Sequence, residues 1–502
     1  MTDRSSACST PKFAAYGVDL QVREVPVPAR DVDDVGVAGS GPVAASDEPG
    51  VSAGLAPLLA VCCGYFMVIL DVTIVNVAAP AIGRDLAASL TDLQWVVDGY
   101  TVAFAGFLLL GGALGDRWGH RRVFCLGVAG FTVASLGCVV AGDVITLTAF
   151  RLVEGGGAAL LVPGSLALLQ QVYLAPTARA RAFGLWGAIA GVAATAGPLV
   201  GGVLTTTVGW RWVFAINLPV GLLCLVLTMA TVGPSPRDRR RIIDPLGQAA
   251  VVVTVAALIA ALNEVGRQGI RGPAVIGGVL VAAVAAGVLV LRERFGSNPP
   301  LPRTMVGSRP LAGGTAIGFL FNFGFYGMIF AASVYFQQHQ NLSAALAGLA
   351  LLPAMAVTMV ASALSGRLSD RFEHRRLMLI GLLTACIGLA VWAVAGDAPS
   401  YAVLVVAMLA CGFGTSFTLT GATSTVMDAA PTGYAGTASA ALNTARQTGS
   451  AAGVAISGSL IAAAGLTTGV STFMAVGAAG YLLGAVLTLL CVPHTRGNGP
   501  SL

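Results

Sequence analysis

The chain consists of long apolar stretches separated by short polar loops, beginning at Leu55 and continuing almost to the C-terminus. Fourteen of these stretches have about 20 residues or more, which is the length that an α-helix needs to cross the hydrocarbon core of a bilayer. The pattern therefore predicts fourteen transmembrane helices. Their approximate cores are 55–79, 94–114, 122–141, 144–170, 181–205, 211–232, 245–263, 273–291, 312–336, 344–366, 376–395, 401–427, 436–464 and 469–492.

A short basic loop occurs twice in this pattern. The first copy, from Gly115 to Arg122, reads Gly-Asp-Arg-Trp-Gly-His-Arg-Arg, and Ser-Asp-Arg-Phe-Glu-His-Arg-Arg follows 254 positions later, from Ser369 to Arg376. Each copy lies between the second and the third span of a set of six. The repeat predicts two homologous halves, an arrangement typical of transporters that alternate access between two sides of the membrane.

The spans and loops divide the chain into five segments. Residues 1–50 are polar, with several proline, glycine and acidic residues, and they are predicted to form a disordered cytoplasmic tail. The two spans at 245–263 and 273–291 carry almost no polar residue, so we expect both to face lipid. The other predicted segments are an N-terminal six-helix bundle at 55–232, a linker with two inserted helices at 233–300, a C-terminal six-helix bundle at 301–492 and a cytoplasmic tail at 493–502.

Arginine is concentrated in alternate loops. Arg117, Arg121 and Arg122 form one such cluster, and 237–241 forms another, whereas the intervening loops are short and poorer in arginine. Because cytoplasmic loops carry an excess of basic residues, this bias predicts a multi-pass protein of the cytoplasmic membrane with both termini inside.

Composition excludes several classes of function. The chain is 56% hydrophobic and only 10% charged, and its net charge of +5 lies in short loops rather than on one basic face, so nucleic-acid binding is not expected. Nine scattered cysteines show no metal-ligand spacing. No glycine-rich phosphate loop ending in Lys-Ser or Lys-Thr is present, which argues against ATP as the energy source. We expect neither an enzyme nor a metal or organic cofactor.

In the first half, four ionisable residues stand inside apolar spans, where such groups are costly and usually functional. Asp71 is a lone carboxylate in the first span, and Asp98 lies in the second. Arg151 and Glu154 are three positions apart in the fourth span, so they share a helix face. We predict one polar cluster of Asp71, Arg151 and Glu154, with Asp98 as a further candidate, whose carboxylates gain and lose a proton. A structural hydrogen bond at Asp71 and a static salt bridge at Arg151 are the alternatives.

The repeated loop is a candidate for conformational control. Carboxylates favour helix N-termini and cations favour helix C-termini, so a mixed cluster at helix ends can hold one helix against another. Simple anchoring by positive charge would explain Arg121 and Arg122, but not Asp116. The second copy has Glu373 where the first has Gly119, which leaves its turn geometry open. The candidate loop residues are Gly112, Asp116, Arg117, Gly119, Arg121, Arg122, Asp370 and Arg371.

Four stretches in this order resemble the fourteen-span drug:proton antiporters of the major facilitator superfamily over residues 55–492. They are Leu70-Asp-Val-Thr-Ile-Val-Asn-Val-Ala-Ala-Pro80, the loop from Gly112 to Arg122, Arg151-Leu-Val-Glu-Gly-Gly-Gly-Ala-Ala159, and Gly187 to Gly202. The resemblance implies an all-α membrane fold of two six-helix bundles plus two inserted helices. It also implies that the carboxylate at Asp71 belongs to proton coupling or substrate handling. At the position of Glu154 the family more often has glutamine, so a carboxylate there could add a second titrating group or bind a cationic substrate.

The resemblance further implies the direction of transport, because a glycine and proline pattern in the fifth span marks exporters in this family. Its residues here are Gly191, Gly197, Pro198, Gly201 and Gly202. Polar and aromatic residues of the second half are candidates for a substrate cavity, although ordinary packing explains each of them equally well. They are Asn322, Tyr326, Arg446 and Gln447.

These observations together predict proton-coupled efflux of amphiphilic small molecules such as drugs or antibiotics by a monomer whose partners are its substrate, protons and membrane lipid. A proton-coupled importer of a small nutrient, a lipid flippase and a non-transporting membrane sensor on the same fold are the alternatives. The glycine pattern argues against the importer, and the ionisable residues inside the spans argue against the sensor.

Overall fold

The computed structural model describes residues 55–88, 90–238, 244–295, 303–342, 344–369, 371–396 and 399–493. The predicted tail at 1–50, nearly all of the tail at 493–502, and Asp370 lie outside the described residues. The helices before residue 240 are α1 (Leu55–Asp85), α2 (Leu90–Trp118), α3 (His120–Val140), α4 (Val144–Val172), α5 (Pro176–Thr207), α6 (Trp212–Ala215) and α7 (Asn217–Thr231). Those after it are α8 (Pro245–Gln268), α9 (Pro273–Phe295), α10 (Arg303–Val306), α11 (Arg309–Gln338), α12 (Ala344–Ala350), α13 (Leu352–Leu368), α14 (His374–Val394), α15 (Tyr401–Asp428), α16 (Ala435–Ala464) and α17 (Leu466–Cys491).

Every predicted span is helical in the structure. Twelve helices within the described ranges are long and apolar enough to cross a membrane. The other two predicted spans are α16, which carries Arg446 in its middle, and the segment at 344–366, which is divided between α12 and α13. Pro353 near the start of α13 explains this division, because proline has no N–H with which to continue the hydrogen bonds of a preceding helix. The number of fourteen crossings remains a prediction.

The two halves use the same helix pairings. In the first half α1 packs against α5 and α7, and α4 packs against α2 and α3. In the second half α11 packs against α16 and α17, and α15 packs against α13 and α14. The corresponding spans therefore make corresponding contacts, as two homologous repeats require.

The halves meet through two related glycine contacts. Gly112 on α2 lies against the backbone of Gly436 on α16, and a Cβ at Gly112 would collide with the Gly436 carbonyl oxygen. At the equivalent place in the other half, a Cβ at Gly184 on α5 would lie only 2.7 Å from the Cα of Gly366 on α13. Small residues permit such close approach of helix backbones in a membrane. Both contacts lie near the helix ends that are predicted to be cytoplasmic.

The two inserted helices differ in their surroundings. α9 packs on α8 and is otherwise largely uncovered, as expected of a helix that faces lipid. α8, in contrast, lies against both α2 and α16 and so touches both halves at their junction. Val252 and Ala256 of α8 contact the space above Gly106 on α2. The prediction that both helices only face lipid is therefore wrong for α8, whose apolar surface meets protein that the sequence alone does not identify.

An ion pair joins the start of α8 to the end of α9. Asp244 caps α8 and accepts a hydrogen bond from Arg292 Nε at 2.8 Å, which holds the pKa of Asp244 below its ordinary value. A lowered pKa adds stability above the pKa of the unfolded chain, and this stability is lost only when the pH falls through the lower folded value. We therefore expect Asp244→Asn to lower the melting temperature of the purified protein by on the order of one or two degrees.

We expect this decrease to be the same from pH 5 to pH 8, because the Asp244 carboxylate is ionised throughout that range. Thermal unfolding of both proteins in detergent across this range measures the decrease. A decrease in melting temperature that changes between pH 5 and pH 8 would show that the ionisation of another group controls the Asp244–Arg292 pair.

Candidate functional site

The polar residues predicted inside the first and fourth spans come together in the first half. Asp71 on α1 and Glu154 on α4 are 0% exposed, and Arg151 on α4 is 1% exposed. The side chain of Asp143 fixes the start of α4 by accepting a hydrogen bond from the Thr146 backbone N–H at 2.8 Å. Arg151 then lies about 10 Å along the helix from its outer end. We call Asp71, Arg151 and Glu154 the charge cluster.

Arg151 connects the two carboxylates. Its Nη1 donates to Asp71 Oδ2 at 2.5 Å and to Glu154 Oε2 at 2.6 Å. Its Nε donates to the carbonyl oxygen of Val96 on α2 at 3.1 Å. The Tyr100 ring lies 4.3 Å from the guanidinium carbon, within the range of a cation–π contact. The arginine is thus held by α1, α2 and α4 at once.

Two polar residues that sequence reasoning missed close a ring around the charge cluster. Asn217 on α7 donates to Asp71 Oδ1 and to Ser135 Oγ, both at 3.2 Å. Ser135 on α3 donates in turn to Glu154 Oε1. Asn217 could have been noticed as an amide within the apolar stretch 211–232, whereas Ser135 resembles many other serines in these spans.

The charges of the cluster do not balance when both carboxylates are ionised. Two carboxylates and one guanidinium then leave a net charge of −1 in a site without solvent exposure. An uncompensated charge in such a site is strongly unfavourable, and one proton on either carboxylate cancels it. The arrangement can therefore bind and release one proton. Asp98 is half-buried on α2, two residues beyond Val96, and its part in this chemistry stays a prediction.

The first copy of the repeated loop reaches the other half. Asp116 Oδ1 accepts from the Gly436 N–H at 2.8 Å, and Oδ2 accepts from the N–H and the hydroxyl of Thr437 at 3.0 and 2.6 Å. His120 Nε2 lies 3.2 Å from the same carboxylate. Asp116 therefore caps the N-terminus of α16, where a negative charge is stabilised by the helix dipole. We call this set of contacts the Asp116 cap.

Neighbouring loop residues have different surroundings. Gly119 adopts φ +94° between α2 and α3, a conformation that other residues rarely adopt. Glu373, its counterpart in the second copy, has φ −59°, so the two turns differ. Arg121 donates to the Met229 carbonyl oxygen at 2.7 Å and so stays within its own half. Arg117 and Arg122 line an open groove of about 410 Å³ at the surface.

A second polar contact between the halves was not predicted. Arg179 on α5 pairs with Asp428 on α15 at 2.6 Å, and Gln170 on α4 donates to the Met427 carbonyl oxygen at 2.8 Å. Arg371 of the second loop copy is exposed. The Asp116 cap and the Arg179–Asp428 pair lie at helix ends on the same side, so the two halves are joined there.

The glycines of the fifth span lie against two different neighbouring helices, α1 and α13. A Cβ at Gly197 would collide with Thr73 on α1, and one at Gly201 would lie 2.8 Å from Ile74. A Cβ at Gly191 would instead approach Thr358 on α13 of the other half at 3.0 Å. Gly202 has open space beside it, and the side chain of Pro198 lies outside the described residues. The pattern thus brings α5 close to α1, next to Asp71, and close to the second half.

Aromatic rings and one arginine meet between α1, α5, α11 and α16. Tyr65 on α1 stacks on Trp186 on α5 with ring centroids 3.8 Å apart. The guanidinium carbon of Arg446 on α16 lies 6.0 Å from the Trp186 ring and 5.9 Å from the Phe321 ring on α11. Tyr326 on α11 is 41% exposed and lies within electrostatic range of Tyr65 and Arg446.

Asn322 and Gln447, the other two residues predicted to line the cavity, are less exposed than Tyr326. Asn322 is buried and donates to the Gly318 carbonyl oxygen at 3.1 Å within its own helix. Gln447 is half-buried beside Arg446 on α16.

Comparisons with known proteins agree with these observations. Residues 61–454 match the family model described as Major Facilitator Superfamily. The methylenomycin A resistance protein of Bacillus subtilis is 36% identical over 90% of this chain and 97% of its own length. The tetracenomycin C resistance and export protein of Streptomyces glaucescens is 34% identical over 81% of this chain and 75% of its own. The multidrug resistance protein Stp of Mycobacterium tuberculosis is 36% identical over 82% and 76%.

Solved structures share the fold at low sequence identity. The human organic anion transporter TETRAN superposes with a TM-score of 0.62 at 16% identity, covering 87% of this chain and 98% of its own. A proton:xylose symporter superposes with the same TM-score of 0.62 at 18% identity, covering 88% and 96%. At these identities the likeness concerns the fold alone.

Proposed function

The chain belongs to the major facilitator superfamily, and from this premise we propose that it exports amphiphilic small molecules, such as drugs or antibiotics, across the cytoplasmic membrane in exchange for protons. Resistance and export proteins that align over most of the chain support export as the direction of transport. The observation that carries the coupling to protons is the charge cluster, in which one buried arginine bridges two buried carboxylates.

The charge cluster is the proposed proton site. With both carboxylates ionised, Arg151 binds α1 to α4 through Asp71 and Glu154. A proton on Asp71 removes the charge that attracts Arg151 and so weakens the connection between these helices. The position of α1 relative to α4 then differs between the protonated and the deprotonated protein. Binding of a proton can then shift the equilibrium between two conformations, because they differ in their affinity for it.

The Asp116 cap is the proposed device that holds one access state. In this conformation it joins α2 to α16 on the side predicted to be cytoplasmic, so the substrate path is closed there and export requires it to reopen. Both α1 and α2 contact α4, which gives the charge cluster a physical connection to the cap. Proton entry supplies the energy, at about 2.3 kcal/mol per elementary charge for each 100 mV of membrane potential, in addition to the pH difference.

Transport into everted membrane vesicles tests the proposal. Everted vesicles that carry the protein, with an acidic interior, should take up tetracenomycin C, and addition of the drug should dissipate the pH gradient that a fluorescent amine reports. Vesicles without the protein and vesicles treated with a protonophore are the controls. Drug leaving the vesicles instead would identify an importer, and absence of any drug-dependent proton flux would contradict proton exchange.

A further inference from the structure

Arg446 carries a positive charge near the middle of α16, which is a predicted span. It is the twelfth residue of the 30-residue helix α16, so it lies about 16 Å from that helix's N-terminus. Its one hydrogen bond in the described part of the chain is from Nη1 to Asn443 Oδ1 at 2.9 Å. Its Nε is buried and has no hydrogen-bond partner among the described residues. None of the described carboxylates lies within ion-pair distance of it.

This differs from the other arginine inside a span. Arg151 is neutralised by Asp71 and Glu154, whereas the described part of the chain offers Arg446 an amide oxygen and no carboxylate. An ionised group at this depth is costly unless an opposite charge faces it. The protein supplies no such charge among the described residues, and a guanidinium is well suited to bind a carboxylate.

The surroundings of Arg446 suit the apolar part of a ligand. The rings of Trp186 and Phe321 lie at the outer limit of cation–π distance from Arg446, and Tyr65 stacks on Trp186. Trp186 Nε1 donates to Ser165 Oγ at 3.1 Å, which fixes the ring in place. Trp186, Phe321 and Tyr65 are themselves 0%, 1% and 3% exposed, so Tyr326, which is 41% exposed and lies far from both ends of α11, is the ring of this group that a ligand can reach in this conformation.

The position of Arg446 is built by close packing of α11 and α16. A Cβ at Gly318 would lie 2.6 Å from Leu442 and 3.4 Å from the Arg446 side chain, so the glycine makes room for both. Because Tyr65 and Trp186 belong to the first half and Phe321 and Arg446 to the second, the group spans the two halves. A ligand bound there would contact both bundles, as a transported substrate must when the halves move.

We propose that Arg446 is the anion-binding residue of the substrate site, and that the preferred substrates are aromatic amphiphiles bearing a carboxylate or another weakly acidic group. This inference rests on the proposed export function and specifies the charge of its substrate. A cationic amphiphile is disfavoured, because it would meet the unpaired charge of Arg446 in a medium of low dielectric constant. Tyr326 offers exposed aromatic surface to the apolar body of the substrate, and the guanidinium binds its acidic end.

An anionic substrate changes how the transporter responds to voltage. One-for-one exchange of an entering proton for a leaving anion moves two unit charges in the same electrical direction. Exchange of a proton for a monovalent cation moves no net charge. Export of the preferred substrates should therefore increase with an inside-negative membrane potential, even when the two sides have equal pH.

Binding of three matched probes tests the charge preference without requiring transport. Pyrenebutyrate, pyrenebutanol and pyrenebutyl trimethylammonium share one aromatic body, and energy transfer from tryptophan to pyrene reports their binding to the purified protein in nanodiscs. We expect wild type to bind pyrenebutyrate at least about tenfold more tightly than the cationic probe. Arg446→Gln should abolish this preference, and Arg446→Lys, which keeps the charge but not the guanidinium, should retain part of it.

Arg84→Gln is the matched control, since it removes the same charge from an exposed position on α1. It should leave the preference unchanged. Equal or tighter binding of the cationic probe by wild type would overturn the proposal. An unchanged preference in folded Arg446→Gln protein, with folding judged by gel filtration and binding of pyrenebutanol, would overturn it as well.

Uptake of the same probes into everted vesicles separates this inference from the function on which it rests. We expect uptake of pyrenebutyrate to increase with an imposed potassium diffusion potential and to be abolished by Arg446→Gln. This result would support both the anion site and the export function. Binding with the expected preference but without uptake of any probe would contradict export while leaving the anion site in place. Uptake that favours the cationic probe would support export and overturn the anion site.

Discussion

Asp71→Asn should reduce proton-driven export to the background level that a protonophore leaves. Asparagine cannot take up a proton, and it removes the negative charge that Arg151 contacts at 2.5 Å. Arg151 and Glu154 then form a neutral pair, so the variant permanently resembles the protonated charge cluster. Because the amide preserves size and hydrogen bonding to Asn217, we expect the protein to fold. Drug-dependent proton flux in everted vesicles measures the effect.

Asp85→Asn is the matched control. Asp85 is on the same helix, but its side chain is 46% exposed and pairs with Arg211 at 2.7 Å near the surface. Exposed pairs of this kind contribute little, so we expect transport close to that of wild type. If Asp71→Asn retained coupled export, Asp71 would not be the proton site. The variants Glu154→Gln and Asp98→Asn would then show which carboxylate binds the proton.

Gly112→Ala is expected to prevent closure on the cytoplasmic side. The new methyl group would collide with the Gly436 carbonyl oxygen and would lie 2.7 Å from its carbonyl carbon and from the Ala440 Cβ. Backbone atoms cannot turn away as a flexible side chain can, so α2 and α16 must separate. Overpacking of this kind is unfavourable by roughly 1–3 kcal/mol, which shifts the population of the closed state about fivefold to more than a hundredfold.

We therefore expect export by this variant to fall by at least about tenfold while the protein stays folded. Spin labels at Trp118 and Phe372, in a cysteine-free background, place one probe in each half at this side, and both positions are exposed. Pulsed electron-spin distance measurements should show a longer distance in Gly112→Ala.

Gly130→Ala is the control for this variant, because a Cβ at Gly130 on α3 would meet nothing within 4 Å. It should retain both the distance and the transport of wild type. An unchanged distance in Gly112→Ala would show that the contact between Gly112 and Gly436 does not control closure.

Much of this protein could be predicted from one sequence because the membrane restricts what a chain can form. A lipid environment permits helices and closed barrels, so apolar stretches of sufficient length define the helices. The repeated loop identified the two halves. Asp71, Arg151 and Glu154 were recognised because charged residues inside apolar stretches are rare and costly. The relatives and solved structures confirm the family and its fold.

The partners of these residues could not be predicted in the same way. Ser135 and Asn217 complete the hydrogen-bonded ring around the charge cluster, yet Ser135 resembles many other serines and nothing local to Asn217 indicates which carboxylate it contacts. Asp116 was singled out by the repeat, but its contact with the N-terminus of α16 joins positions 320 and 321 residues apart. The place of α8 against both halves was missed, since an apolar helix surface has the same composition whether it meets lipid or protein.

The sequence by itself determined the helices, their division into two related halves and the residues whose charge is costly in a membrane, because each depends on polarity along a local stretch of chain. Only the tertiary structure decided which charges are neutralised. Arg151 and Arg446 look alike in the sequence, each an arginine within a span, but Arg151 lies between two carboxylates and Arg446 lies among aromatic rings with an unpaired Nε. Electrostatic free energy depends on distances between groups that are far apart in the chain, and packing of helices sets those distances.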